Sequence, residues 1–169
     1  MNWPCFEFEG KTYDFSYLEE KTVSYLQAAQ GTNPPRGYRV DVSYSHHCFT
    51  RSIGDENPTP DMIYRGHPDD LRIFDVARFR LSNRLPAITK NLMSRTCFKT
   101  NQDNFLTVEI VNKEQTLEYE IYFKAYKPRA KPTSISLVVQ SAYVRDVTHL
   151  KDRPQKKVIS FASILYDAK

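Results

Sequence analysis

A chain of 169 residues, 40% apolar and 26% charged, has the material for a folded core, and no apolar run approaches the roughly 20 residues of a membrane-spanning helix. Glycine is scarce, at five residues, and no glycine-rich loop occurs, which excludes a P-loop and a dinucleotide fingerprint. The opening Met1-Asn2-Trp3-Pro4 lacks the basic and apolar stretches of a secretory signal. The three cysteines (Cys5, Cys48 and Cys97) are odd in number and widely spaced, so a disulfide framework is not expected and a cytoplasmic location is.

In chain order, Phe6-Glu7-Phe8-Glu9 and Thr12-Tyr13-Asp14-Phe15 alternate about Gly10-Lys11 and predict a hairpin. Residues 16–30 read as a weak helix or irregular segment, ended by Gly31-Thr32-Asn33-Pro34-Pro35. Residues 38–48 predict a strong strand. Tyr38, Val40, Val42, Tyr44, His46 and Cys48 share one face, and Arg39, Asp41, Ser43, Ser45 and His47 share the other. Residues 52–68 are polar, hold three prolines and read as a long loop. Asp69-Asp70 then stands where acids favour a helix start. Phe74, Ala77, Leu81, Leu85, Ile88 and Leu92 form one apolar stripe, which Pro86 kinks or breaks with Ser82 or Asn83 as cap.

Four strands are expected after that helix, over residues 105–111, 117–126, 134–144 and 158–166, with a further short strand near Cys97-Phe98-Lys99. Short linkers favour an antiparallel meander. The fold class is therefore α+β: a curved antiparallel sheet of four C-terminal strands plus N-terminal strands, covered by one principal, Pro-kinked helix. The whole chain, 1–169, is expected to form a single domain, with residues 1–68 giving the N-terminal strands and long loop, and residues 69–169 the helix and meander.

The net charge of +4 is unevenly placed. Before residue 86, ten Lys/Arg face twelve Asp/Glu; afterwards, fourteen face eight. The excess gathers at Lys124, Lys127, Arg129 and Lys131, and again at Arg145, Lys151, Arg153, Lys156 and Lys157. Basic loops beside tyrosine-rich strands suit a polyanion such as RNA.

From residue 69 onward, a helix followed by four strands with basic loops between them is similar to the catalytic core of the barnase, colicin-type tRNase and RelE-like nucleases. Separately, Ser45-His46-His47-Cys48-Phe49-Thr50-Arg51 and Val139-Gln140-Ser141-Ala142-Tyr143-Val144-Arg145-Asp146 resemble phrases in small bacterial proteins sometimes labelled stationary phase growth adaptation protein. That likeness covers most of the chain. It implies a bacterial origin and supplies no mechanism.

Metal-independent RNA cleavage needs a base for the 2′-hydroxyl, an acid for the leaving oxygen and cations at the phosphate. His149, His47 and Glu120 are the expected catalytic groups. Arg145, Lys151, Lys124 and Arg51 are expected to hold phosphate, and Tyr143 and Tyr122 to stack on bases. His46, on the apolar strand face, reads as a core histidine. Neighbours on a strand point to opposite faces, so His46 and His47 are not expected to share an ion, and neither metal nor other cofactor is expected. Cys48 beside a histidine raises thiol chemistry only weakly. RNA is the leading partner, with a protein partner or inhibitor open and no membrane. The function expected is that of a small, toxin-like cytoplasmic ribonuclease. The alternative is a non-catalytic module that binds RNA, DNA or protein through the tyrosine-rich face and basic loops.

Overall fold

The computed structural model describes residues 2–29, 31–32, 34–67, 69–99, 104–111, 116–131, 133–144 and 157–168. Strands β1 (Phe6–Phe8) and β2 (Lys11–Tyr13) form the expected hairpin. Its turn is Glu9-Gly10, one residue earlier than Gly10-Lys11, and both turn residues have positive φ, 50° and 70°. A tight two-residue hairpin loop with strand-compatible twist needs that conformation.

Residues 16–30 depart from the expected weak helix. Ser16–Leu18 is a 3₁₀ turn, and Lys21–Gln27 is strand β3. Val23 and Tyr25 point inward while Thr22 and Ser24 are exposed, a period of two that pairing along the next strand exploits. That next strand, β4, runs from Arg36 to Tyr44 and stops four residues short of the expected Cys48.

The expected loop over 52–68 is interrupted by one short strand, which pairs with a strand beyond the loop. Strands β5 (Thr50–Arg51), β6 (Ile63–Tyr64) and β7 (Arg72–Phe74) make a small sheet in the order β5-β7-β6. Asp69-Asp70 therefore precedes a strand, not a helix. Helix α1 (Val76–Ser82) begins later, where the Asp75 carboxylate accepts the Arg78 N–H at 2.9 Å as its cap. The break near Pro86 is present. Helix α2 spans Leu85–Lys90 with Pro86 in its first turn, where a missing N–H costs nothing. Its cap is Arg84; Asn83 closes α1 instead.

Strands β8 (Thr96–Lys99), β9 (Asn104–Val111), β10 (Thr116–Tyr126) and β11 (Ile135–Val144) form an antiparallel meander. The expected strand over 158–166 is shortened to β12 (Lys157–Ser160) and followed by helix α3 (Phe161–Asp167). Phe161, Ile164 and Leu165 are the buried residues of α3, spaced by three and four, and Ser160 caps it by accepting the Ser163 N–H at 3.1 Å.

The main sheet has the order β12-β8-β9-β10-β11-β4-β3. It is a mixed α+β fold whose strands pair antiparallel except at one place, where β4 lies parallel to β11 with Val40 opposite Ile135 and Tyr44 opposite Val139. N-terminal and C-terminal strands thus share one sheet. The Tyr25 hydroxyl donates to the Thr89 carbonyl at 2.6 Å, and the Tyr44 and Thr89 hydroxyls meet at 2.8 Å, which ties α2 over β3 and β4. A second packing layer is aromatic. Phe15 stacks on Phe49 at 4.0 Å between centroids, and Tyr13, Tyr64, Phe74 and Phe79 close around them.

Candidate functional site

The site is built where β4 ends. Ser45 carries a hydroxyl at the first residue past the strand, and it accepts the His47 N–H at 3.3 Å. The Cys48 and Phe49 N–H groups bond to the Ser45 and His46 carbonyls, so His46–Cys48 winds into a 3₁₀ turn. Such competition by a serine for the next backbone donors is what ends a strand. The consequence is geometric. Neighbours on a 3₁₀ turn project about 120° apart, not 180°. The two imidazoles leave the turn with ring centroids 4.7 Å apart and meet one side chain.

That side chain is Asp70, carried by the segment entering β7. Its Oδ2 lies 2.6 Å from His47 Nε2 and 3.2 Å from His46 Nε2. A carboxylate only accepts hydrogen bonds, so both Nε2 atoms donate. The His47 proton-accepting lone pair is then on Nδ1. Asp70 Oδ1 faces the Arg72 guanidinium at 3.7 Å, and Arg72 Nε donates to the Thr50 hydroxyl at 2.9 Å. The His47 and Asp70 side chains are 35% and 38% exposed, whereas His46 is 8% exposed, so one imidazole is offered to solvent and the other is backing.

The backing is tight. The Trp3 ring meets His46 edge-on at 5.3 Å, and its indole N–H donates to the Tyr44 carbonyl at 2.9 Å. Thr50 Oγ1 donates to the His46 carbonyl at 2.8 Å. The Arg78 guanidinium, reaching from α1, donates to the carbonyls of Thr50 at 2.7 Å and His47 at 3.3 Å. Desolvation, helped by the neighbouring His47, lowers the His46 pKa against the pull of Asp70. Burial works against the Asp70 charge, but the His47 hydrogen bond and the charges of His47, Arg72 and His46 outweigh it and hold the carboxyl below its usual range. Desolvation likewise lowers Arg72 and Arg78 while leaving both guanidinium groups charged.

On the sheet beside this centre, Arg78 lies over the Tyr143 ring at 5.1 Å. Tyr143 stacks on Tyr122 with centroids 5.7 Å apart and planes 14° apart. The Tyr122 hydroxyl donates to Glu120 Oε2 at 2.6 Å. Hydrogen-bond and ring contacts therefore run without a gap from Asp70 through His47, Arg78 and Tyr143 to Glu120.

A family model for the YjaZ family matches residues 5–169. The chain belongs to the YjaZ family. It is 24% identical over 162 residues to Protein YjaZ of Escherichia coli (strain K12), a match spanning 94% of this chain and 86% of that protein. No solved structure matches it. The bacterial likeness read from the sequence thus has a bacterial relative, and neither name specifies a reaction or a ligand. No helix among the described residues is long and apolar enough to cross a membrane.

Within this YjaZ-family chain, the residues singled out from sequence fare unequally. His47 stands at the centre of the site, half-exposed. Glu120 is fully buried, and its Oε2 accepts the Tyr122 hydroxyl. Tyr122 and Tyr143 do come together, as a stacked pair. Lys124 is exposed on β10, two residues beyond Tyr122 and opposite Val138. Arg51 is occupied: its guanidinium pairs with the Glu56 carboxylate and lies 3.8 Å from Asp75. His149, Arg145 and Lys151 lie outside the described residues. Burial pushes the Cys48 thiol up to about 12, which removes it from thiolate chemistry.

His46, Asp70, Arg72 and Arg78 are the additions that sequence reasoning missed. Extending the strand alternation through Cys48 hid the histidine pair. The usable signal was Ser45, a residue that ends strands by bonding forward. Asp70 was masked by its resemblance to a helix start.

Proposed function

We propose that this protein binds RNA and cleaves it by general acid/base catalysis at the His47–Asp70 pair. The observation that supports this reading best is the 2.6 Å hydrogen bond from His47 Nε2 to Asp70, beside a guanidinium and on the solvent-facing side of the turn. Asp70 fixes the imidazole tautomer and would stabilise the imidazolium that forms, the role a carboxylate plays behind a catalytic histidine. His47 Nδ1 takes the proton of a 2′-hydroxyl as that oxygen attacks phosphorus. The bond to the 5′ oxygen breaks, a cyclic phosphate forms, and the leaving oxygen takes a proton from a second acid, for which His149 is the candidate. Arg72 faces the charge gathered on the phosphate. Tyr143 and Tyr122 provide a stacking platform for a base.

The test is incubation of purified protein with labelled total RNA and tRNA, with and without EDTA, beside His47→Ala and His149→Ala. Discrete cleavage that survives EDTA and is lost in His47→Ala supports the reading. RNA retarded but intact would replace it with the binding module. Neither cleavage nor retardation would remove RNA altogether.

A further inference from the structure

We propose that His46, His47 and Asp70 form a binding site for one divalent transition-metal ion of the zinc class. One ligand-type atom from each of the three residues lies within 4.8 Å of the other two. Proton transfer through His47 needs one imidazole on Asp70; a second imidazole aimed at the same oxygen has no part in that chemistry. Convergence of both is what a shared ion requires. In a tetrahedral zinc site the metal–nitrogen bonds of about 2.0–2.1 Å put neighbouring ligand atoms roughly 3.3 Å apart. The His46 Nε2 to Asp70 Oδ2 separation is already 3.2 Å, and the His47 separation has only to open from 2.6 Å. Two imidazoles and a carboxylate leave a fourth position open, as in zinc sites that bind water or substrate.

The surroundings fit a prearranged ligand set. The turn is held by the Arg78 and Thr50 hydrogen bonds to its carbonyls, and the His46 ring is braced by Trp3. Arg72 faces Asp70 Oδ1, not the oxygen between the imidazoles, and orients the carboxylate from outside. A soft thiolate is not among the ligands, which favours zinc and its neighbours over copper(I).

The site does not depend on the RNA reading, but it touches it. A metal on His47 Nε2 leaves the ring proton on Nδ1, so the atom assigned to accept the 2′-hydroxyl proton has no lone pair. Zinc added in excess of EDTA is then expected to suppress the cleavage seen in EDTA alone.

Calorimetric titration of EDTA-stripped full-length protein with Zn²⁺, repeated with Co²⁺ and its visible absorption, tests the site. One ion per chain and a tetrahedral cobalt spectrum are expected. Affinity should fall at least about tenfold in His46→Ala and in Asp70→Ala, and recover in part in Asp70→Glu. Melting curves of the same samples establish that the variants are folded. Failure to bind Zn²⁺, or binding unchanged in these variants, overturns the proposal. If the stripped protein binds zinc but cleaves no RNA, the RNA reading fails and the metal site stands. If it cleaves RNA and binds no zinc, the reverse holds.

Discussion

Two carboxylates of this fold, Asp41 and Asp70, look alike by charge and differ in what they hold. Asp41, on β4, accepts from the Thr22 hydroxyl at 2.7 Å and the Ser134 hydroxyl at 3.2 Å, and lies 3.8 Å from the Lys131 ammonium. It joins β3, β4 and the start of β11 at the floor of an open polar cleft of about 480 Å³, lined by Glu20, Thr22, Arg39, Lys131 and Ser134. Asp70 also faces one cation, but its other partners are two imidazoles. Neutral hydroxyls neither accept a proton at neutral pH nor bind zinc-class metals well; imidazoles do both. The cleft at Asp41 is therefore walled by a structural clip, and the turn at Asp70 is the proposed centre of chemistry. What separates the two is the titratable character of the partners, not the carboxylate or the space around it.

That contrast can be broken at several points. Apart from changes to Asp70 itself, the largest effect is expected from Arg72→Ala. On the proposed RNA reading, losing the guanidinium that faces the Asp70 carboxylate should lower RNA cleavage about 10²-fold, while Arg72→Lys retains more activity because a cation remains. Steady-state rates in EDTA check this. Next, Tyr143→Ala removes a stacking partner and should weaken RNA binding by about 1–3 kcal/mol with little change in melting temperature, read by filter binding at fixed salt.

On the structural side, Asp41→Ala should cost about 1–2 kcal/mol in urea unfolding, since Thr22 and Ser134 lose a charged acceptor, and should leave cleavage within twofold. The Asp41 pKa is lowered chiefly by the Thr22 hydrogen bond, against desolvation and with help from Ser134, Lys131 and Arg39. A carboxyl held low in the folded state adds stability that is complete above its unfolded value, near 3.8, and is lost as pH falls through the lower folded value. Asp41→Asn should therefore flatten the acid side of the stability curve below about pH 4. The smallest effect is expected from Lys131→Ala. Its exposed ion pair should be worth about 0–0.5 kcal/mol and shrink further in salt.

Much of this fold was legible. The hairpin, the strong strand from Tyr38 to Tyr44, the break at Pro86 and the three long strands of the meander all follow from local period and punctuation. What failed were the ends of elements. Residues 158–166 alternate well enough to suggest a strand, but the spacing of Phe161, Ile164 and Leu165 satisfies a helix, and burial chose the helix. The parallel pairing of β4 with β11 joins residues about 95 positions apart, which no local pattern encodes.

The site was legible in proportion to its locality. His47 and the tyrosines stood out by residue type. Asp70 and Arg72 enter the site only because β7 pairs with β5 and β6, and those two-residue strands leave almost no period to read. His46 is the buried histidine the alternation implied, but the strand ends before it, and the turn that follows brings it beside His47.

The most direct test of the contrast is to measure RNA cleavage in EDTA and thermal melting together on Asp70→Asn and Asp41→Asn. The account predicts that Asp70→Asn loses at least about 10²-fold in rate with a modest change in melting temperature, and that Asp41→Asn melts earlier while cleaving as wild type does. Equal rates in the two variants, or a loss confined to Asp41→Asn, would contradict it.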